Sequence, residues 1–320
     1  MQAKTTTGPA IPGAWMIAGA GLGITAITGL MYRAGLKVDL GAPSTWPFYI
    51  CALVVIGLCV GLRNPVNRRQ HLVRDLAEYL GLATLIALFG ALASYPQAAE
   101  SQGFIDAALT RADAAIGFDW LSWYRVVAAH PVLQVAGRLA YDSIFWMPAA
   151  ILAAFAANGR RDRARGMIAA LAVAAATTLA LFRLMPAVGP LAYLWHGPVP
   201  YMPVSALWQP ELIPPLRQHQ IHYVDVGALR GLVSMPSFHT AAAVIFMVSA
   251  WTTPQLRWPV LGVNAAMLLA TPVEGTHYLV DMIAGAGVAA ASLLLVALVH
   301  AQILPRLSRR DRAMRMALTR

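Results

Sequence analysis

The sequence predicts an all-α integral membrane protein, a polytopic bundle of about eight transmembrane helices. Hydrophobic residues make up 58% and charged residues only 12% of the 320 residues, whereas soluble domains contain about 25% charged residues. The apolar residues form long stretches, and arginines cluster in the short segments between them. This alternation is typical of a chain that crosses a bilayer several times.

Eight apolar stretches are candidates for membrane spans, because about 20 apolar residues cross the roughly 30 Å of hydrocarbon in a bilayer. They cover residues 14–32, 46–62, 72–95, 133–158, 166–185, 236–251, 258–273 and 278–303. The first is interpreted as a span rather than a signal peptide, because only one basic residue, Lys4, precedes it and its apolar core is longer than that of a signal peptide.

The distribution of basic residues predicts the orientation in the membrane. An even number of spans places both termini on one side, together with segments 63–71, 159–165 and 252–257, and this side holds most of the 24 basic residues. By the positive-inside rule, that side is cytoplasmic. His239 and His277 are therefore expected on the opposite, extracytoplasmic side. The net charge of +10 therefore reflects topology and predicts no nucleic-acid partner. A bacterial-type inner membrane is the expected location.

Three regions are predicted along the chain. Residues 1–132 form an N-terminal membrane region of three spans with an interfacial loop, residues 133–304 form a membrane core that contains both histidines, and residues 305–320 form a basic cytoplasmic tail. The long loop at 186–235 is rich in proline and aromatic residues, a composition that suits a segment at the level of the lipid headgroups.

The stretch THYLVD contains His277 and Asp281. On a helix this spacing places both side chains on one face, where the carboxylate accepts the Nδ1 proton and leaves Nε2 as an oriented nucleophile or base. The alternative is a pair that only satisfies itself inside the bundle. Ionisable residues within spans are costly and usually functional.

The stretch MPSFHT places Ser237 and His239 at the start of a predicted helix. Backbone N–H groups and the positive end of the helix dipole favour an anion at such a position. Helix capping alone would also explain this stretch. The two stretches are one helical hairpin apart and on the same membrane face, which favours a shared site.

Together the two stretches resemble the second and third signature motifs of the type 2 phosphatidic acid phosphatase superfamily. Pro236, Ser237, Phe238 and His239 match a Pro-Ser-Gly-His motif except at the glycine, and His277 with Asp281 match the third motif. The Ser-Arg pair of that third motif falls on residues 270–271, which are Ala-Thr, and the first motif is replaced by LFRLMPAVGP. The runs PAVGP, SMPSFHT and HYLVDMIAG look closer to the inositol phosphorylceramide synthase branch. The resemblance covers residues 133–303.

The resemblance implies a metal-independent lipid phosphatase or phosphotransferase with a six-helix-type catalytic core and no cofactor. His277 would attack phosphorus, Asp281 would hold its tautomer, and His239 would act as acid and then as base. Ser237 would bind the phosphoryl oxygens. Arg183 and Arg230 are the candidates for the missing phosphate-binding arginine. The substrate would be a lipid phosphate or phospholipid, and the acceptor water or a lipid alcohol.

Other polar residues support weaker predictions. Tyr141 and Asp142 are candidates for a lipid headgroup pocket, and Asp142 is expected to pair with Arg138. Glu274 either contacts the acceptor or caps its helix. The His-x-x-His pair at residues 219–222 lacks the further ligands that zinc requires. A transporter or a non-catalytic lipid-binding protein remains an alternative function.

Overall fold

A computed structural model describes residues 10–303, and in this range the chain is 74% helical. Lys4 and the predicted basic tail at residues 305–320 lie outside the described residues. The helices are α1 (Gly13–Arg33), α2 (Trp46–Gly61), α3 (Arg68–Ala99), α4 (Asp106–Ala115), α5 (Trp120–Ala129), α6 (Pro131–Tyr141), α7 (Ser143–Ala157), α8 (Arg161–Leu184), α9 (Pro190–Leu194), α10 (Trp208–Arg217), α11 (Phe238–Ala250), α12 (Pro254–Glu274) and α13 (Leu279–Leu298).

Six of the described helices are long and apolar enough to cross a bilayer: α1, α2 with the short turn before it, α3, α8, α12 and α13 with its C-terminal extension. The described region also contains two short strands, β1 (Lys37–Val38) and β2 (Tyr223–Val224). These features confirm the predicted all-α polytopic membrane bundle.

The predicted number of eight spans is not confirmed. The predicted span at 133–158 is divided at Asp142 into α6 and α7, whose axes differ by 44°, and counting this pair as one span gives seven. The predicted span at 236–251 contains only the 13 residues of α11, which extend about 20 Å at 1.5 Å per residue. Helix α11 is therefore shorter than the hydrocarbon layer.

The core of the bundle lies where α7, α8, α11 and α13 meet. Large buried side chains such as Ile151, Phe155 and Ile168 fill the space between helices. Helix α11 contributes the fully buried run Ala241–Ala243, whose small side chains let neighbouring helices approach closely. This close packing places the N-terminus of α11 beside that of α13.

One end of the bundle is held by ion pairs between α3 and α8. Arg161 Nε lies 2.9 Å from Asp75 Oδ2, and Arg165 Nε lies 2.6 Å from Glu78 Oε1. Arg165 also donates to the backbone carbonyl of Ile11. We call this group of Asp75, Glu78, Arg161 and Arg165 the basic end.

The N-terminal helices are joined to the rest of the chain. Helices α1 and α2 each pack on α3. Strand β1, which follows α1, pairs in parallel with β2, and the Ser44 hydroxyl donates to Asp225 just after β2. The segment between α1 and α2 is thereby attached to the segment that leads to α11.

Candidate active site

At the end of the bundle opposite the basic end, the N-terminus of α11 lies against the first turns of α13. The Ser237 N–H donates to the carbonyl oxygen of Asp281 at 3.0 Å. Gly285 permits this approach, because a Cβ atom there would overlap the Ser237 carbonyl. The predicted serine and aspartate are therefore linked through their backbones. We call the region around His239 and His277 the histidine end.

His277 and Asp281 are both buried and form the predicted pair, with His277 Nδ1 3.4 Å from Asp281 Oδ2. Their contact does not depend on a shared helix face, because α13 begins only at Leu279 and His277 lies in the turn before it. Asp281 lies in the first turn of α13, and its Oδ2 also accepts the Tyr278 N–H at 3.1 Å. The carboxylate thus fixes the imidazole and the turn that carries it.

His239 lies in the first turn of α11, where it contacts Tyr141. The two rings stack with centroids 4.1 Å apart at an interplanar angle of 15°, and the Tyr141 hydroxyl lies 3.2 Å from His239 Nδ1. The same hydroxyl lies 3.3 Å from Ser205 Oγ. His239 Nε2 is buried and has no hydrogen-bond partner among residues 10–303, so this nitrogen is available to a bound molecule.

Gly275 brings the two histidines together. A Cβ atom on Gly275 would lie 2.7 Å from His277 Cδ2 and 3.0 Å from the Tyr141 hydroxyl. The imidazole of His277 and the phenol that contacts His239 therefore both lie against this glycine. The predicted pocket residue Tyr141 is located at the histidine end.

Helix α4 positions the turn around His277 through two aspartates that the sequence analysis missed. Asp113 accepts the N–H groups of Leu279 and Val280, each at 2.9 Å, and these belong to the first turn of α13. Burial raises the pKa of Asp113, although both N–H groups act in the opposite direction.

The second aspartate, Asp106, accepts the N–H groups of Val188 and Gly189 at 3.0 Å and the Tyr278 hydroxyl at 3.1 Å. Asp106 and Asp113 are two helical turns apart and therefore share one face of α4. This spacing is the sequence signal that could have identified them.

Glu274 attaches the loop after α9 to the end of α12. Its carboxylate accepts the Tyr201 hydroxyl at 2.7 Å and the Val204 N–H at 3.1 Å, and its backbone carbonyl accepts the Ser205 N–H at 2.9 Å. Burial and the bond to Glu274 raise the pKa of Tyr201, so this phenol stays protonated and donates. Glu274 therefore holds residues 201–205 against the end of α12.

The two predicted phosphate-binding arginines have other partners. Arg183 Nη1 lies 2.5 Å from Glu100 Oε2, at the C-terminus of α3. The Arg230 guanidinium stacks over Trp208 at 4.7 Å. Within the described residues, no hydrogen bond or ion pair joins either guanidinium to His239 or His277.

The remaining predicted residues differ in how closely they approach the histidines. Ser237 is fully buried, and its hydroxyl accepts the Thr240 N–H at 3.4 Å as the cap of α11. Asp142 lies at the junction of α6 and α7, and the described residues include no ion pair between it and Arg138. The expected pair fails because Asp142 ends α6 and Arg138 lies near Tyr201 and Glu274. Residues 10–303 contain no group of three His, Cys, Asp or Glu side chains suited to a metal ion.

The fold and this site define an integral membrane protein with a buried His–Asp pair and a second histidine at one end of a helical bundle. Residues 107–295 match the family model of the PAP2 superfamily. The match covers more than half of the chain and includes α5 to α12, so the chain belongs to this superfamily of membrane phosphatases and phosphotransferases. No curated protein and no solved structure matches the chain. The match begins in α4, earlier than the resemblance at residues 133–303.

Proposed function

We propose that the protein transfers a phosphoryl or phospho-headgroup from a lipid through a covalent intermediate on His277. The observation that supports this proposal best is the pairing of His277 with the buried Asp281 beside a second histidine whose Nε2 has no partner among the described residues. A carboxylate bound at Nδ1 orients an imidazole and stabilises the positive charge that develops as Nε2 reacts.

In the first step, His277 Nε2 forms a bond to phosphorus while the bond from phosphorus to the lipid oxygen breaks. His239 donates the proton that the leaving oxygen takes up. In the second step, His239 removes a proton from water or a lipid alcohol, whose oxygen bonds to phosphorus as the N–P bond breaks. Water gives a phosphatase, and a lipid alcohol gives a phosphotransferase.

The phosphoryl oxygens would lie near the N-terminus of α11, where Ser237 and the helix dipole favour an anion. To supply the neighbouring positive charge, Arg183 would have to leave Glu100 and Arg230 would have to leave Trp208, and we expect Arg230 to keep its present partner. The sequence similarity to the inositol phosphorylceramide synthase branch favours a lipid alcohol over water as acceptor.

The test uses purified protein in detergent with lipid phosphates and phospho-headgroup lipids, without added metal. Free phosphate and transfer to diacylglycerol or ceramide are measured together. We expect His277→Ala to abolish both, and radiolabelled lipid phosphate to label the wild type with an acid-labile, base-stable phosphoramidate. His300→Ala is the matched control, because His300 lies beyond the C-terminus of α13. Equal activity in the His277 and His300 variants would contradict the proposal, and a lack of activity in the wild type would favour a binding or transport role.

We further propose that the histidine end faces the extracytoplasmic side, as the positive-inside rule predicts. In a background without Cys51 and Cys59, cysteines introduced at Asn64 and Gln218 report on the two ends. Both positions are exposed, the first between α2 and α3 and the second after α10. An impermeant maleimide applied to intact cells should label position 218 and not position 64. The reverse pattern would overturn this orientation.

A further inference from the structure

We infer that Tyr141 is a positioning residue for His239, and that its hydroxyl keeps the proton on Nδ1 so that Nε2 alone exchanges protons with the substrate. This inference rests on the proposed function. Its basis is the combination of a stacked ring at 4.1 Å with a hydroxyl 3.2 Å from Nδ1. One side chain thereby fixes both the plane of the imidazole and the atom through which it is held.

Tyr141 is itself held in place from two sides. It is 5% exposed, and its hydroxyl lies 3.3 Å from Ser205 Oγ. Ser205 is fixed in turn by its N–H bond to the carbonyl of Glu274. The hydroxyl also lies against Gly275, where any side chain would displace it. The phenol therefore has one defined place beside His239.

The order of donors follows from the chemistry of the groups. Proton transfer at Nε2 requires that Nδ1 keep its hydrogen both before and after the transfer. In this assignment, Nδ1–H donates to the Tyr141 oxygen and the Tyr141 O–H donates to Ser205 Oγ, although either group of each contact is able to donate. Because a phenol can accept one hydrogen bond while donating another, this order satisfies all three groups in both halves of the reaction.

The two histidines differ in the charge of the group at Nδ1. His277 contacts a carboxylate, Asp281, which stabilises a positive imidazole and suits a nucleophile that bonds to phosphorus. His239 contacts a neutral phenol, which orients the ring without adding a negative charge. A histidine that must release and regain a proton in each cycle is better served by the neutral partner.

The experiment compares Tyr141→Phe with the wild type. The variant retains the stacked ring and lacks only the hydroxyl. We expect kcat to fall about 10- to 100-fold, less than the roughly 100- to 10,000-fold contribution of an acid–base group itself, because His239 is retained, while KM changes little and the pH–rate profile moves. Tyr79→Phe is the matched control, because Tyr79 is fully buried in the core and its hydroxyl has no partner among the described residues.

A double-mutant cycle separates positioning from a general structural effect. In a His239→Ala background, Tyr141→Phe should cause no further loss, because its effect acts through His239. An unchanged pH–rate profile in the single variant, or a full additional loss in the double variant, would overturn the inference. Either result can occur while His277→Ala still abolishes activity, so the proposed function would survive.

A measurement without catalysis keeps the inference testable if the proposed function fails. In protein labelled with ¹⁵N-histidine, the ring nitrogens of His239 are assigned from the His239→Ala spectrum. We expect Tyr141→Phe to change the balance of Nδ1–H and Nε2–H tautomers at His239, with the signals of His300 unchanged. Identical His239 signals in the wild type and the variant would overturn the inference.

Discussion

The basic end and the histidine end use carboxylates in opposite ways. At the basic end, Asp75 and Glu78 form ion pairs with arginines that join α3 to α8. At the histidine end, the carboxylates of Asp106, Asp113 and Glu274 accept backbone N–H groups and phenols, and the described residues give none of them an arginine or lysine partner within 4.0 Å.

Under the proposed function, the difference is a way to build a site for an anion among acidic residues. A carboxylate that accepts two backbone N–H groups fixes the main chain and has its charge compensated locally. Under the proposed function, an arginine used for the same purpose would compete with the two histidines for the phosphoryl group. At the histidine end, carboxylates therefore bind backbone N–H groups, whereas at the basic end they bind arginine side chains.

The largest expected effect comes from Gly285→Ala at the histidine end. The added methyl group would overlap the Ser237 carbonyl and separate the start of α11 from α13. We expect activity to fall more than about 100-fold, since small displacements at catalytic groups have effects of that size. The measurement is kcat/KM with thermal unfolding. Gly287→Ala is the control on the same helix, where the methyl group would meet nothing within 4 Å; similar losses in both variants would contradict this explanation.

A smaller effect on activity is expected from Asp113→Asn. The amide oxygen can still accept one N–H from the first turn of α13, but its NH2 group would face the other. Loss of such a cap costs about 1 kcal/mol. Because His277 immediately precedes this turn, we expect kcat to fall about tenfold, a change of about 1.4 kcal/mol in activation free energy. Activity assays at saturating substrate check this, and a variant with normal kcat would contradict a positioning role for α4.

The corresponding change at the basic end, Asp75→Asn, should affect stability alone. It removes the charge that Arg161 contacts at 2.9 Å while Arg161 keeps 37% of its side chain exposed. We expect the free energy of unfolding to fall by about 1 kcal/mol, since partial exposure weakens the pair, with kcat unchanged. Denaturation in detergent and activity are measured on the same sample. A loss of kcat without a loss of stability would remove the distinction between the two ends.

The smallest effect is expected from Arg230→Ala. This arginine stacks on Trp208 at 4.7 Å, a contact worth about 0.5–1 kcal/mol. We expect activity to change less than about threefold, which corresponds to less than about 1 kcal/mol in the barrier. Phosphate release and headgroup transfer check this. A loss of 100-fold or more would instead support the phosphate-binding role that the sequence predicts for Arg230.

The sequence predicts the membrane bundle well because long apolar stretches are a local signal. It fails to predict the break at Asp142, because the apolar residues on both sides of this polar site together satisfy the length and composition of one span. It also counts 236–251 as a full span, although only 13 residues there form α11. The predicted pairing of His277 with Asp281 is present. However, the two residues do not share a helix face as expected. His277 lies in the turn before α13, and Asp113 and Asp281 hold this turn in place.

Contacts between distant segments account for what the sequence analysis missed. Tyr141 and His239 are 98 residues apart, and Asp113 is 166 residues from Leu279. Sequence separations this long leave no local pattern from which either contact could be predicted. Arg183 illustrates the same difficulty, because the sequence identifies a cation near the motif and only the fold shows that Glu100 is its partner.

The short parallel pairing of β1 with β2 has a mechanical consequence. The Lys37 N–H donates to the carbonyl of His222, and the Asp39 N–H to that of Val224, so the α1–α2 linker and the segment before α11 are cross-linked by backbone bonds. Helices α1 and α2 leave most of their apolar side chains exposed or partly exposed. A displacement of the α1–α2 linker would therefore either carry residues 222–224 with it or break these backbone bonds.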